Sequence, residues 1–425
     1  MKRASLSFAL LLSLLLSGCS GGAVTALKAQ SSLPPVQAVR DEAFDLALGD
    51  FGLELLRQVR KEGKNTLLSP LSTLLCLSMC ANGAQGDTLE QFQTVLCGGG
   101  SLETLNGSCR SLLETCHALE AGNASLSERY GVTPGESALS IANSLWLDPR
   151  VRVEDGFTGR CTGSYEAGLF AADFTQDAAR REVNRWIETH TGGHIKNALA
   201  ELDPDTILVL VNAVYFEGKW TQSFDPEDTR EAQTFYLEDG SSGQVDLMNS
   251  CGRTDLCVTT QAEQGVLLPY KDGRLAFLAL LPQAGTSLTE YLETLDGQRL
   301  TELIRGAEET HFTLLLPKFT AAWRSSLAES LQAMGLELAF DPDRADFSPM
   351  GADENGNLLY LTAVEHGAGI EVDEQGTRAF SFTFAGMNSA GAAPLEVLRF
   401  DRPFVYGIVD LDRGIPLFLG TFETP

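Results

Sequence analysis

The sequence predicts one large α+β domain over residues 41–425, and three observations predict it. Helical patterns dominate the early part of the body, and long apolar runs rich in β-branched residues dominate the later part, without regular β-α alternation. No internal repeat and no second linker follow residue 40, so nothing divides the body. An apolar fraction of 44% across 425 residues supplies a sizeable core and excludes general disorder.

Taken in order, Phe44, Leu48, Phe51, Leu55 and Val59 form one face of an amphipathic opening helix that ends near Gly63. A second helix runs from about Leu71 to Ala81 and is apolar nearly all round, as a buried helix is. Residues 97–138 carry a mixed helical pattern, Ser140–Leu147 reads as a strand, and Ala178–His190 reads as a polar-faced helix. Thr206–Phe216 is a continuous β-branched and aromatic run, which marks a central strand covered on both faces. Further strands are expected at 255–268, 274–281, 310–316, 395–400, 404–409 and 416–422, with helices over Leu288–Arg305 and Ser325–Met334. Several mainly antiparallel sheets follow from that order.

Charge excludes whole classes of partner. With 31 Lys+Arg against 57 Asp+Glu the net charge is −26, which opposes both nucleic acid and anionic lipid headgroups. Residues 1–18 read as a signal: Met1-Lys2-Arg3 is basic, and Leu6 to Leu16 is apolar but too short to span a membrane well. Leu16-Ser17-Gly18-Cys19 resembles the lipobox of bacterial lipoproteins, which implies cleavage before Cys19 and its lipidation. An ordinary secretory signal with an incidental cysteine is the alternative. Residues 19–40 read as a flexible tether, so the body is expected in the cell envelope, anchored by lipid outside the cytoplasm. Eight further cysteines permit disulfides but do not fix a pairing; Cys76 and Cys80, four apart in an apolar helix, read as core thiols.

Catalytic and metal motifs are sparse. His190 and His194 are four apart, but Thr-Gly-Gly between them spoils a helix, and neither H-E-x-x-H nor C-x-x-C occurs, so no metal or other cofactor is expected. There is no G-x-S-x-G elbow and no phosphate loop. The informative stretch is Glu371 to Gly386. Thr377, Ala379, Ser381, Thr383 and Ala385 are small, while Arg378, Phe380, Phe382 and Phe384 are bulky. Small on one face and large on the other suits a segment that slots between two strands over a packed core. Gly386 to Pro394 has neither charge nor β-formers and reads as an accessible, protease-sensitive tip.

At this point the chain resembles the serpin family, over essentially all of residues 41–425. Asn65–Ser72 (NTLLSPLS) resembles the family's second-helix motif. Asn184-Arg-Trp186 with Thr191 to Ile195, Leu208–Trp220, Leu316-Pro-Lys-Phe319, Glu371–Thr377 and Arg402-Pro-Phe404 follow in the family's order. The resemblance implies about eight to nine helices around three mainly antiparallel sheets and an exposed reactive-centre loop over about residues 374–396. It implies a monomeric suicide inhibitor of serine proteases and no enzyme: a protease cuts the loop, forms an ester with it, and is trapped as the loop inserts into the main sheet. A non-inhibitory member that binds, or is cut without trapping, is the alternative.

Matched residue by residue, Glu374, Gly376, Thr377, Ala379, Ser381 and Thr383 correspond to the hinge. Ser69, Ser72, Asn212 and His366 correspond to the polar cluster under the sheet's opening, and Trp220 to the aromatic at its top. The family's spacing from Gly376 puts the scissile bond at Ala390–Gly391, and counting back from Phe400 puts it at Ala392–Ala393. Either choice offers a small residue and implies an elastase-like or subtilisin-like target; no Lys or Arg for a trypsin-like enzyme lies between Phe380 and Val397. The family's hinge is Ala-rich, so Arg378, Phe380 and Phe382 are departures.

Overall fold

The computed structural model describes residues 24–27, 36–120, 137–191, 193, 195–199, 201, 206–377 and 395–425. Nine α-helices lie among the described residues: α1 (Glu42–Val59), α2 (Pro70–Ala81), α3 (Gly86–Cys97), α4 (Leu102–Glu120), α5 (Asp155–Tyr165), α6 (Asp177–His190), α7 (Leu288–Glu293), α8 (Gly297–Arg305) and α9 (Ala328–Ala333). Capping sets the early ones. Asp41 accepts from the N–H groups of Ala43 and Phe44 ahead of α1, and Ser69 accepts from Ser72 N–H ahead of α2, with Pro70 as its first residue. Leu71, Leu74, Leu75 and Leu77 of α2 are all buried, so truncating any one to Ala costs about 2–5 kcal/mol.

The strands through the middle are β1 (Val24–Ala26), β2 (Thr66–Leu68), β3 (Ser137–Leu147), β4 (Val151–Val153), β5 (Gly168–Ala172), β6 (Leu208–Lys219), β7 (Arg230–Tyr236), β8 (Ser242–Thr259), β9 (Glu263–Pro269) and β10 (Leu275–Pro282). They continue with β11 (Glu308–Pro317), β12 (Phe319–Ser326), β13 (Gly351–Asp353), β14 (Glu365–Val372), β15 (Gly376–Thr377), β16 (Val397–Arg399), β17 (Phe404–Asp410) and β18 (Ile415–Phe422). The main sheet has the order β1-β5-β3-β6-β15-β14-β12, and the second runs β16-β11-β8-β9-β10-β17-β18-β2 with β7 on β8; β4 and β13 pair apart. Within the main sheet every recorded pairing is antiparallel except β3 with β5. The expected α+β class and its three sheets are present.

One apolar cluster joins α1–α4 to the inner faces of both large sheets. A smaller one, with Trp146, Phe174, Val183, Ile187 and Val211, lies where α6 covers the other face of β3 and β6.

Four expectations need correction. The run at 255–268 is two strands, because Thr260 turns the chain: its N–H bonds Glu263 O at 3.0 Å and its hydroxyl meets the Glu263 carboxylate. Leu288–Arg305 is two helices, because Asp296 caps a new one by accepting from Arg299 N–H at 2.7 Å. Ser325 and Ser326 finish β12 instead of starting a helix. Part of the expected tether is ordered: Val24–Ala26 pairs with β5 from Val24↔Ala172 to Ala26↔Phe170 and forms the edge of the main sheet. The eight cysteines other than Cys19 are all free thiols, with Cys80 buried and Cys76 half-buried. Burial pushes the Cys161 thiol up to about 12.

Candidate functional site

The site begins where β14 ends. The chain turns through Asp373–Gln375, and the Asp373 carboxylate accepts from Gln375 N–H at 2.8 Å and Gly376 N–H at 3.1 Å. This turn delivers β15 between β14 and β6. Thr377 pairs with Val372 on one side and Gly218 on the other, and Gly376 lies opposite Lys219. A Cβ on Gly376 would come within 2.1 Å of Gly218 O, so glycine is required by that approach. Among the described residues β6 and β14 are joined only through β15.

Every carbonyl of the turn is held. Trp220 Nε1–H donates to Asp373 O at 2.8 Å, Trp220 N–H to Gln375 O at 3.0 Å, and Phe224 N–H to Glu374 O at 2.8 Å. Trp220 is fully buried, stacked on Tyr270 with ring centres 4.9 Å apart and edge-on to Phe277. The Tyr270 hydroxyl in turn hydrogen-bonds the Thr377 hydroxyl. The Glu374 carboxylate accepts from Lys318 Nζ at 2.8 Å and Thr229 Oγ1 at 2.9 Å. Burial alone would raise its pKa, but the Lys318 and Thr229 bonds outweigh it and hold the carboxyl below its usual range.

The polar cluster lies lower down the same strands. His366 Nε2 accepts the backbone N–H of Ser69 at 3.0 Å, which leaves Nδ1 as the protonated nitrogen facing Thr73 Oγ1 at 3.4 Å. Ser69 Oγ donates to Leu417 O at 2.8 Å and accepts from Ser72 N–H at 3.2 Å. His366 is held neutral because burial lowers its pKa to about 4. The imidazole takes a backbone N–H, not the Ser69 hydroxyl, so this is not a base–nucleophile pair.

Ser69, Ser72 and His366 therefore meet, Ser72 through its backbone N–H, and Trp220 sits at the top of the sheet. Asn212 does not join them. Its side-chain amide donates to Asn143 Oδ1 at 2.8 Å, and Asn143 is itself bonded to Tyr165 O, which draws the Asn212 head group toward β3. The Asn212 Oδ1 atom is buried without a partner. Glu374, Gly376 and Thr377 are at the hinge, whereas Ala379, Ser381, Thr383, Ala390, Gly391, Ala392, Ala393 and Cys19 lie outside the described residues. Lys318, Thr229 and Tyr270 were not foreseen as hinge partners. Lys318 stands inside the quoted Leu316–Phe319 motif, but the other two carry no signal in the sequence. Among the described residues no group of side chains could hold a metal ion.

The two flanks of residues 378–394 belong to different sheets. The upstream flank is β15 in the main sheet, and the downstream flank, β16, lies parallel to β11 in the second sheet, starting from Thr313↔Val397.

Comparison with known proteins agrees with this layout. A family model described as Serpin (serine protease inhibitor) matches residues 46–425. Serpin-ZXA of Oryza sativa subsp. japonica is 31% identical over 373 residues, covering 85% of this chain and 91% of the rice protein. The native-state crystal structure of Tengpin, a thermophilic serpin, is similar with a TM-score of 0.83 and 31% identity, covering 95% of this chain and 100% of that one. The latent state of the same protein is similar with a TM-score of 0.76, at 31% identity and with 91% of this chain and 99% of that one covered.

Proposed function

This chain belongs to the serpin family, and on that premise we propose that it is an inhibitor of elastase-like or subtilisin-like serine proteases that works by loop cleavage, acyl-enzyme trapping and insertion of the cut loop into the main sheet. The observation that carries the reading is β15, the hinge already seated between β6 and β14. Continuing its register past Thr377 sets Ala379, Ser381 and Thr383 on the inward face with Ile370, Ala368 and His366. Thr383 then stands level with both His366 and Asn212, beside the oxygen that has no partner. The bulky set would turn outward instead on the inserted strand: Phe380 would fall opposite Gly369, and Phe382 opposite Gly367, two glycines that are themselves exposed. The inserted strand thus buries only small side chains, and its departures from an Ala-rich hinge meet open surface.

The preference for elastase-like enzymes rests on small residues at Ala390–Gly391 or Ala392–Ala393. Incubation with such a protease is expected to give an adduct that survives SDS and to release the peptide after the cut, whose intact mass identifies the bond. Cleavage with no adduct would make the chain a substrate or a non-inhibitory binder. The lipobox-like Leu16–Cys19 supports a lipid anchor that holds the inhibitor to the cell envelope outside the cytoplasm. Cys19→Ser is expected to release it from membranes.

A further inference from the structure

We propose that Tyr270 is a positioning residue for loop insertion: it holds Thr377 in the main sheet before any cut, so that insertion restarts from a nucleus already formed. The inference rests on the inhibitory reading for its consequence, and on geometry alone for the latch itself. Tyr270 belongs to the second sheet's β9–β10 corner, where its N–H bonds Leu275 O at 2.9 Å. Its backbone bridges to Trp220, and Lys271 N–H reaches Lys219 O at 2.9 Å, so the corner is tied to the end of β6.

The ring is fixed on three sides. It stacks on Trp220 with an interplanar angle of 12°, meets Phe216 edge-on at 4.8 Å, and lies against Gly218, where an added Cβ would come within 2.7 Å of it. With the ring so confined, its hydroxyl has one place to be, and Thr377 Oγ1 is there. Tyr270 is completely buried and Thr377 nearly so. Withdrawing Thr377 from the sheet would strand the phenol hydroxyl in an apolar core, which is costly. The same register of Thr377 begins the inserted strand, so the bond survives insertion and opposes only the state with the hinge out. It therefore favours restarting insertion over losing the acyl-enzyme to hydrolysis.

Tyr270→Phe keeps the ring and removes the hydroxyl. Backbone amide exchange in the 370–377 segment is expected to rise about fivefold, the equivalent of one side-chain hydrogen bond. The stoichiometry of inhibition is expected to rise with it. Thr377→Val should reproduce both effects, the double variant should be no worse than either single, and Thr377→Ser should restore wild-type values. Unchanged exchange in both single variants, or additive effects in the double, would overturn the latch. Absence of any adduct from the wild-type chain would instead sink the inhibitory reading, and the exchange measurements would still decide the latch.

Discussion

The two ends of the gap between β6 and β14 are built differently. At the top, aromatic rings and one ion pair hold the hinge itself: Trp220 and Phe224 bond the turn's carbonyls, Lys318 holds Glu374, and Tyr270 holds Thr377. Lower down, the polar groups bond away from each other. His366 is committed to α2 through Ser69 and Thr73, while Asn212 is committed to β3 through Asn143. The top is thus a seated strand start, and in the lower part no hydrogen bond joins His366 to Asn212 among the described residues. On the proposed inhibitory reading, a sheet that accepts a strand from one end and parts at the other needs such an arrangement, with its native state kept by a kinetic barrier.

The contrast is broken most severely at Trp220. Trp220→Ala removes a fully buried ring, its stack on Tyr270 and a donor to Asp373, and is expected to cost about 3–5 kcal/mol, read by denaturant unfolding. Next is His366, through pH. Its folded pKa is depressed to about 4 against an ordinary 6.5, so the unfolded chain binds the extra proton first. Stability is fully present above pH 6.5 and falls by about 3 kcal/mol as pH drops toward 4. Unfolding of His366→Gln should lack that step. Glu374 responds later: the contribution of its depressed carboxyl is present above the ordinary value of 4.5 and is lost only as pH falls from there toward its own lowered pKa, so the lower region loosens in weak acid before the top does.

Charge reversal at the hinge is a third test. Glu374→Lys sets a cation against Lys318 and leaves Thr229 without its acceptor; because Lys318 is half exposed, the expected loss is about 2 kcal/mol, seen as a lower midpoint and faster exchange at β15. The smallest effect belongs to the outward face. Phe380→Ala should lower the stability of the cleaved form by about 1 kcal/mol, since an aromatic opposite Gly369 covers exposed backbone, and leave the uncleaved form unchanged.

The top of the site was only partly legible in the sequence. Thr377 is readable because alternation in one local stretch encodes which face of a strand it takes, whereas Gly376 is placed at the hinge only by its match to the family's motif. Tyr270 is not, because it lies 107 positions from Thr377 and its role comes from two sheets meeting. Asn212 was placed with His366 by family position, but a competing acceptor on β3 decides where its side chain goes. The fold shows the same limits. Thr206–Phe216 announces a central strand by composition, whereas Glu365–Val372, with Gly367, Ala368 and Gly369 consecutive at its centre and Glu365 and Glu371 toward its ends, carries too little β-forming character to be noticed. Val24–Ala26 has a polar, small-residue context typical of a tether and becomes a strand because β5 offers an edge.

The central claim is that cutting the loop frees a strand for the main sheet, and thermal unfolding before and after cleavage tests it most directly. The account predicts that the chain cleaved between Gly386 and Pro394 unfolds at a much higher temperature than the intact chain. An unfolding temperature unchanged or lowered by the cut would contradict it.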